Sequence, residues 1–153
     1  MKGISLLAAL MFGLGAAPAS AGQERFTATN KVWQEECGSC HVAYPPALLP
    51  AASWKAIMAG LSRHFGADAS VEPQKMQEIE RFLVANAGRS DARGPDGKPL
   101  LRVTETPWFL HEHDEVAPSD WKHPQVKTAA NCGGCHAGAD RGDFRERDIR
   151  VPR

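Results

Sequence analysis

The 153-residue chain lacks an excess of charge of either sign, because 18 lysine and arginine residues balance 18 aspartate and glutamate residues. A balanced chain has no strong field to attract nucleic acid or an anionic membrane surface, so neither is expected as a partner.

A long hydrophobic run is also missing. The apolar stretch from Ile4 to about Ala17 covers about 14 residues, fewer than the ~20 that a membrane-spanning helix needs. We therefore expect no membrane span in the mature protein.

The short apolar stretch has the features of a secretory signal peptide. Lys2 precedes it, and the small residues Ala-Ser-Ala at positions 19–21 follow it, as signal peptidase requires. We predict that residues 1–21 are removed and that the mature chain begins at Gly22, outside the cytoplasm. Since Lys2 leaves with the signal, 17 basic residues then remain against 18 acidic ones.

Cysteine is scarce: the chain has four, and all belong to two copies of the pentapeptide Cys-x-x-Cys-His. This motif is typical of c-type haem attachment. Each thiol adds to a porphyrin vinyl group as a thioether, and the adjacent histidine takes one axial position on the iron. The sequence thus predicts two covalently bound haem c groups. The attaching residues are Cys37 and Cys40 for the first and Cys132 and Cys135 for the second, with His41 and His136 as iron ligands.

Two Cys-x-x-Cys pairs can also hold one structural zinc ion or act as two dithiol redox sites. A zinc ribbon does not need a histidine directly after both pairs. A thioredoxin-like site needs a strand–helix–strand context, which is not visible in the pattern. The haem interpretation is therefore preferred, and it indicates electron transfer.

The second axial ligand decides what each iron can do, because an open iron binds oxygen or peroxide whereas a closed one only exchanges electrons. Met58 and Met76 fall on the apolar stripes of predicted helices, where core packing is the favoured interpretation. The mature chain offers four further histidines, namely His64, His111, His113 and His123. We expect two haems that each have two histidine ligands.

His64 is predicted as the distal ligand of the first haem. It lies 23 residues after His41, at the edge of the apolar face of a helix predicted from about Ala52 to Phe65. Such a helix would cross the far side of the porphyrin.

His113 is predicted as the distal ligand of the second haem. It lies 19 residues before Cys132, with Pro118 between them to turn the chain back. His123 lies only nine residues before Cys132, which leaves less chain to pass around the porphyrin edge. His111 and His113 are two residues apart and cannot both reach one iron, so His111 and His123 stay open as alternatives.

The first half of the mature chain has the pattern of three helices. The first is capped by Thr29 or Asn30 and runs into the first motif, and the third runs from Pro73 to Gly88. Three glycines and two prolines in residues 88–99 predict a linker. Beyond it, residues 100–106 look extended and only residues 126–137 look helical, so the haem must supply most of the core there.

The predicted fold is therefore mainly α-helical. Its parts are an N-terminal domain over residues 22–88, a linker over residues 89–99 and a C-terminal haem domain over residues 100–153. The second domain is expected to have little regular secondary structure.

A wider pattern surrounds both motifs. It comprises Glu36 before the first motif, Tyr44-Pro-Pro46, Ser53-Trp54, residues 61–66, residues 104–109, Asn131 before the second motif, Gly142-Asp-Phe144 and residues 149–153. Together these segments resemble the bacterial dihaem cytochrome c (DHC) family over essentially the whole mature chain. In that family pattern the position after Trp108 and Phe109 that matches a ligand histidine is His113.

The resemblance implies an N-terminal domain like a class I cytochrome c, and two low-spin haems with paired histidine ligands, close together. It also implies a periplasmic electron carrier that is not an enzyme. The implied partners are a small oxygen-binding monohaem cytochrome c as acceptor and a membrane cytochrome b as donor. A monomer is expected.

Two other functions stay open. A small dihaem subunit that delivers electrons into a periplasmic reductase complex would share both haems and their ligands. A dihaem peroxidase would need one iron with an open position beside an acid or base, and this chain is short for such an enzyme.

Overall fold

The computed structural model describes residues 25–152, and within that range the chain is mainly helical. The five α-helices are α1 (Lys31–Cys37), α2 (Ala51–Ala59), α3 (Pro73–Ala85), α4 (Pro107–Glu112) and α5 (Pro118–Trp121). The short 3-10 turns are Pro46–Leu48, Leu61–Arg63, Val103–Glu105, Cys132–Gly134, Ala139–Arg141 and Glu146–Asp148. Extended residues in the described range form isolated bridges and no sheet. The predicted mainly α-helical fold is confirmed.

The predicted signal segment, residues 1–21, lies outside the described residues and stays a prediction. None of the helices found between residues 25 and 152 combines the length and the apolar character needed to cross a membrane.

Helix α1 begins at the predicted cap. The side chain of Asn30 accepts a hydrogen bond of 2.8 Å from the backbone N–H of Trp33, which satisfies a free donor of the first turn. Asn30 also donates to Glu78 of α3 at 2.9 Å. Trp33 is buried, and its ring lies 5.1 Å from that of Phe82 in α3. These contacts fix α1, whose last residue begins the first motif, against α3.

Helices α2 and α3 pack against each other at the centre of the core. Ile79 and Leu83 of α3 are almost fully buried, as are Trp54 and Met58 of α2. Burial of one such side chain contributes about 1.5–3 kcal/mol. The indole N–H of Trp54 donates to the carbonyl of Pro46 at 2.7 Å, so α2 also fixes the loop after the first motif.

The second helix is shorter than the sequence predicted. Helix α2 ends at Ala59, and Gly60 follows with φ of −113° before the 3-10 turn over residues 61–63. His64 therefore lies in a loop and not on a helix face. Phe65 adopts φ of 48°, in the left-handed region that residues other than glycine seldom occupy. The prediction of a helix over residues 52–65 was wrong beyond residue 59.

Helix α3 begins at Pro73 as predicted, and the carboxylate of Glu72 accepts hydrogen bonds from the first free N–H groups. It ends at Ala85, three residues before the predicted end at Gly88. The N–H of Gly88 instead donates to the carbonyl of Leu49 at 2.9 Å.

The second half contains three short helical segments near its start. Helices α4 and α5 each begin with proline at the first helical position, where its missing N–H is not needed. Residues 103–105, predicted as extended, form a 3-10 turn. The predicted helix over residues 126–137 is wrong. Lys127 interrupts it with φ of 66°, and only the turn Cys132–Gly134 is helical there.

Residues 89–99, the predicted linker, turn back on themselves. The N–H of Gly94 donates to the carbonyl of Lys98 at 2.9 Å, and Gly97 between them has φ of 74°, which glycine adopts easily. The division into two domains at this segment stays a prediction.

Several contacts join the two halves. Val103 and Phe109 belong to the same buried cluster as the side chains of α2 and α3. Near the described start of the chain, the N–H of Phe26 donates to the carbonyl of Gly142 at 2.9 Å. These contacts hold the second half of the chain against the first.

We predict that Gly88→Ala destabilises the protein. A Cβ atom at Gly88 would collide with the backbone carbonyl of Ala47, so the two loops must separate. We expect the free energy of unfolding to fall by about 1–3 kcal/mol in urea titrations of the haem-loaded protein. Gly60→Ala is the control, because its new Cβ would lie 3.5 Å from the nearest carbonyl, and its stability should not fall. An equal free energy of unfolding in the two variants would contradict the close approach of Gly88 to the Ala47 carbonyl.

Candidate functional site

The first pentapeptide begins on the last residue of α1. The helix half-buries Cys37, and the turn that follows exposes Cys40. The hydroxyl of Ser39 donates to the carbonyl of Glu36 at 2.9 Å, which closes this turn. The motif thus presents its cysteines from the edge of the core towards the surface.

The second pentapeptide forms one tight turn. The N–H groups of Cys135 and His136 both donate to the carbonyl of Cys132, at 3.3 and 2.9 Å. The N–H of Arg150 donates to the carbonyl of Cys135 at 2.9 Å, so the last part of the described chain braces the motif. These backbone hydrogen bonds hold the second motif in place, because no long helix supports it.

The environment of the thiols does not suit dithiol redox chemistry. Burial raises the pKa of Cys37 and that of Cys132 to about 11 each, and the charge of Glu36 adds to the effect at Cys37. Reactive dithiols need a lowered pKa. Among residues 25–152, no three or more histidine, cysteine, aspartate or glutamate side chains are grouped to hold a metal ion by themselves.

His41 of the first motif faces His64 across a gap. The ring centres lie 6.2 Å apart and the ring planes differ by 23°. Nδ1 of His41 lies 2.7 Å from the carbonyl of Val42, and because a carbonyl only accepts, Nδ1 donates this hydrogen bond and Nε2 is the nitrogen left for a metal. Burial lowers the pKa of His64, and the charges of His41 and Arg102 lower it further, which favours the neutral ring that binds metals.

His136 of the second motif lies at the same distance from His113. The ring centres are again 6.2 Å apart, but the planes differ by 74°. His113 caps the end of α4, where its Nδ1 donates to the carbonyl of Phe109 at 2.9 Å and its ring stacks on the Phe109 ring at 4.0 Å. Nδ1 of His136 is buried and has no hydrogen-bond partner in the described part of the chain. Burial and His113 lower the pKa of His136.

Each of the two gaps fits one haem iron. A metal–imidazole bond is about 2.0–2.1 Å long, and the bonding nitrogen lies about 1 Å from the ring centre, so two rings on one ion have centres about 6 Å apart. The two measured separations match this value. Each pair also includes the histidine that directly follows two cysteines, which is the donor set of a c-type haem.

The other candidate ligands lie elsewhere. His111 is exposed on α4, and Nδ1 of His123 accepts a hydrogen bond from the N–H of Gln125 at 3.2 Å. Met58 is 4% exposed within the core, and Met76 packs against the same cluster. The structure therefore brings His64 and His113 to the motif histidines, and it does not bring these four residues there.

Sequence analysis included Phe109 and Tyr44 in the wider pattern but assigned neither of them a role at the sites. The carbonyl and the side chain of Phe109 both contact the His113 ring, and the spacing of four residues between Phe109 in α4 and His113 at its cap was the available signal. Tyr44 had no such signal, because its partner lies 86 residues away.

Tyr44 links the two motifs. Its ring lies 5.0 Å from that of His41, and its hydroxyl donates to the carbonyl of Ala130 at 2.6 Å, two residues before Cys132. Burial raises the pKa of Tyr44 to about 12, with a further contribution from Cys132 and an opposing one from Arg102. The two sites are thus neighbours.

Comparison with known proteins agrees with this geometry. A family model described as dihaem cytochrome c matches residues 33–144. The solved diheme cytochrome c from Rhodobacter sphaeroides is 44% identical with a TM-score of 0.69, over 78% of this chain and 99% of that chain. A diheme cytochrome type c from Shewanella baltica OS155 is 39% identical with a TM-score of 0.70, over 80% of this chain and 93% of that chain. Among curated proteins, no match was found.

We predict that Tyr44→Phe lowers the free energy of unfolding at pH 7 by about 1 kcal/mol, because the Ala130 carbonyl loses its donor. Folding raises the pKa of Tyr44 from its ordinary value of 10 to about 12. The contribution of the hydroxyl is therefore complete below pH 10 and is lost as the pH rises through about 12.

Urea unfolding of both proteins at a series of pH values checks this. The stability difference between them should shrink above pH 10, and a constant difference would contradict it. Tyr44 is the one tyrosine of the chain, so the phenolate absorbance change reports its titration directly.

Proposed function

Because this chain belongs to the dihaem cytochrome c family, we propose that it carries single electrons between a membrane or soluble donor and a soluble acceptor. The family gives the chain two covalently bound haem c groups, each of which exchanges one electron when bound. The protein attaches these groups, holds their irons and sets how easily each is reduced.

Four cysteines and four histidines hold the two groups in this proposal. The attaching residues are Cys37 and Cys40 for the first haem and Cys132 and Cys135 for the second. The axial pairs are His41 with His64 and His113 with His136. The observation that carries the proposal is the 6.2 Å separation in both pairs.

Axial ligation by two side chains favours a carrier over an enzyme. When a histidine takes the second axial position on each iron, neither iron has a site left for oxygen or peroxide. The half-buried positions of His64, His113 and His136 support this closed arrangement. Imidazole favours ferric iron more than a thioether does, so both haems have low reduction potentials relative to a cytochrome with histidine and methionine ligands.

The direction of electron flow belongs to the same proposal. The resemblance to the family suggests a membrane cytochrome b as donor and a small oxygen-binding monohaem cytochrome c as acceptor. A low potential suits reduction of such an acceptor. The apolar segment with residues 19–21 after it supports export, and we place the mature protein in the periplasm as a monomer.

We predict that His64→Ala and His113→Ala each convert one low-spin haem into a high-spin haem that binds carbon monoxide, because each variant opens one axial position. Absorption and electron paramagnetic resonance (EPR) spectra measure the change. His111→Ala and His123→Ala are matched controls and should leave both haems low-spin. A His64 or His113 variant that kept both low-spin signals, with no other side chain recruited, would remove that ligand from the proposal.

We further predict that the two ferric haems of the unmodified protein give different EPR signals. The axial ring planes differ by 23° at the first site and by 74° at the second. Nearly parallel ligand planes give an ordinary rhombic low-spin signal, and nearly perpendicular planes give a strongly anisotropic one with a larger maximum g value. Two signals of the same type would contradict the ring orientations. The signal lost in His113→Ala should be the anisotropic one.

A further inference from the structure

Arg102 crosses from the second half of the chain to the distal side of the first site. It directly precedes the 3-10 turn Val103–Glu105, whose first residue is anchored in the core. Its guanidinium carbon lies 4.0 Å from the ring centre of Phe65, which is the geometry of a cation–π contact. Phe65 directly follows His64, so Arg102 covers the residue next to the distal histidine.

Phe65 is held in an unfavourable backbone conformation. Its φ of 48° is uncommon for an aromatic residue and persists only where surrounding contacts fix it. Its ring meets that of His64 edge-on, with centres 4.8 Å apart, and the residue is 48% exposed. The Phe65 ring thus contacts both Arg102 and His64.

The guanidinium also brings positive charge to this site. The Arg102 guanidinium lies on the ring of Phe65, the residue that directly follows His64. Glu105 lies 3.5 Å from Nε of Arg102, but both side chains are about half exposed and solvent weakens this pair. The site therefore keeps part of the positive charge.

We propose that Arg102 is a positioning residue for the first haem, which holds the His64 turn through Phe65 and favours the reduced state through its charge. The inference rests on the proposed ligation of the first iron by His64. A fixed positive charge stabilises the form of the haem that has gained an electron, so it raises the reduction potential.

Redox titrations of the haem-loaded protein test the effect of the Arg102 charge on the reduction potential. The first haem is identified as the one whose redox transition moves in His64→Ala. In Arg102→Gln, that transition should move to a lower potential while the other stays in place. In Arg102→Lys, which keeps the charge, it should stay closer to that of the unmodified protein. Arg81→Gln removes the same charge from the exposed face of α3 and should move neither transition.

EPR spectra of Phe65→Ala test the positioning. Without the Phe65 ring, which contacts both Arg102 and His64, the g values of the first haem should change while those of the second haem stay the same. The inference is overturned if Arg102→Gln leaves the first transition in place or shifts both equally, or if Phe65→Ala leaves the first signal unchanged. If His64→Ala itself leaves both haems low-spin, the proposed ligation fails, and the inference about Arg102, which rests on that ligation, fails with it.

Discussion

In the proposed ligation, one constraint organises this molecule: the rings of two histidines must lie at a distance that lets one iron bind both. The structure meets it twice with different means. At the first site, a loop after α2 brings His64 opposite the histidine that follows α1. At the second site, the end of α4 brings His113 opposite a histidine held in a single tight turn. Helices, turns and interloop hydrogen bonds can all be understood as ways of fixing these two gaps.

The two halves reach that geometry with unequal internal support. The first half has α2 and α3, whose apolar faces bury each other, so its haem site lies against a core formed by protein side chains. The second half has few buried side chains and relies on local backbone bonds, such as those to the Cys132 carbonyl. Its haem must therefore supply a larger share of the apolar core, and folding and haem attachment are linked more closely there.

The sequence predicted the chemistry better than the path of the chain. The Cys-x-x-Cys-His motif is local, so its spacing alone indicated both attachment sites. His64 was predicted on a helix face, but Gly60 ends that helix and a left-handed residue follows it, which periodicity does not reveal. The choice among His111, His113 and His123 depends on where α4 ends. The ring angles and the Tyr44 link depend on contacts across the chain, which no local pattern contains.

The hydrogen bond from Phe26 to Gly142 has a consequence for the order of assembly. Its partners are 116 residues apart, and both cysteine motifs lie between them. A ribosome makes Gly142 only after both motifs have been synthesised, so this closure cannot precede either of them. Closing so long a loop carries a large entropic cost, which is offset only when the structure inside it is already ordered. We therefore expect the two ends to join late, after the structure between them has become ordered.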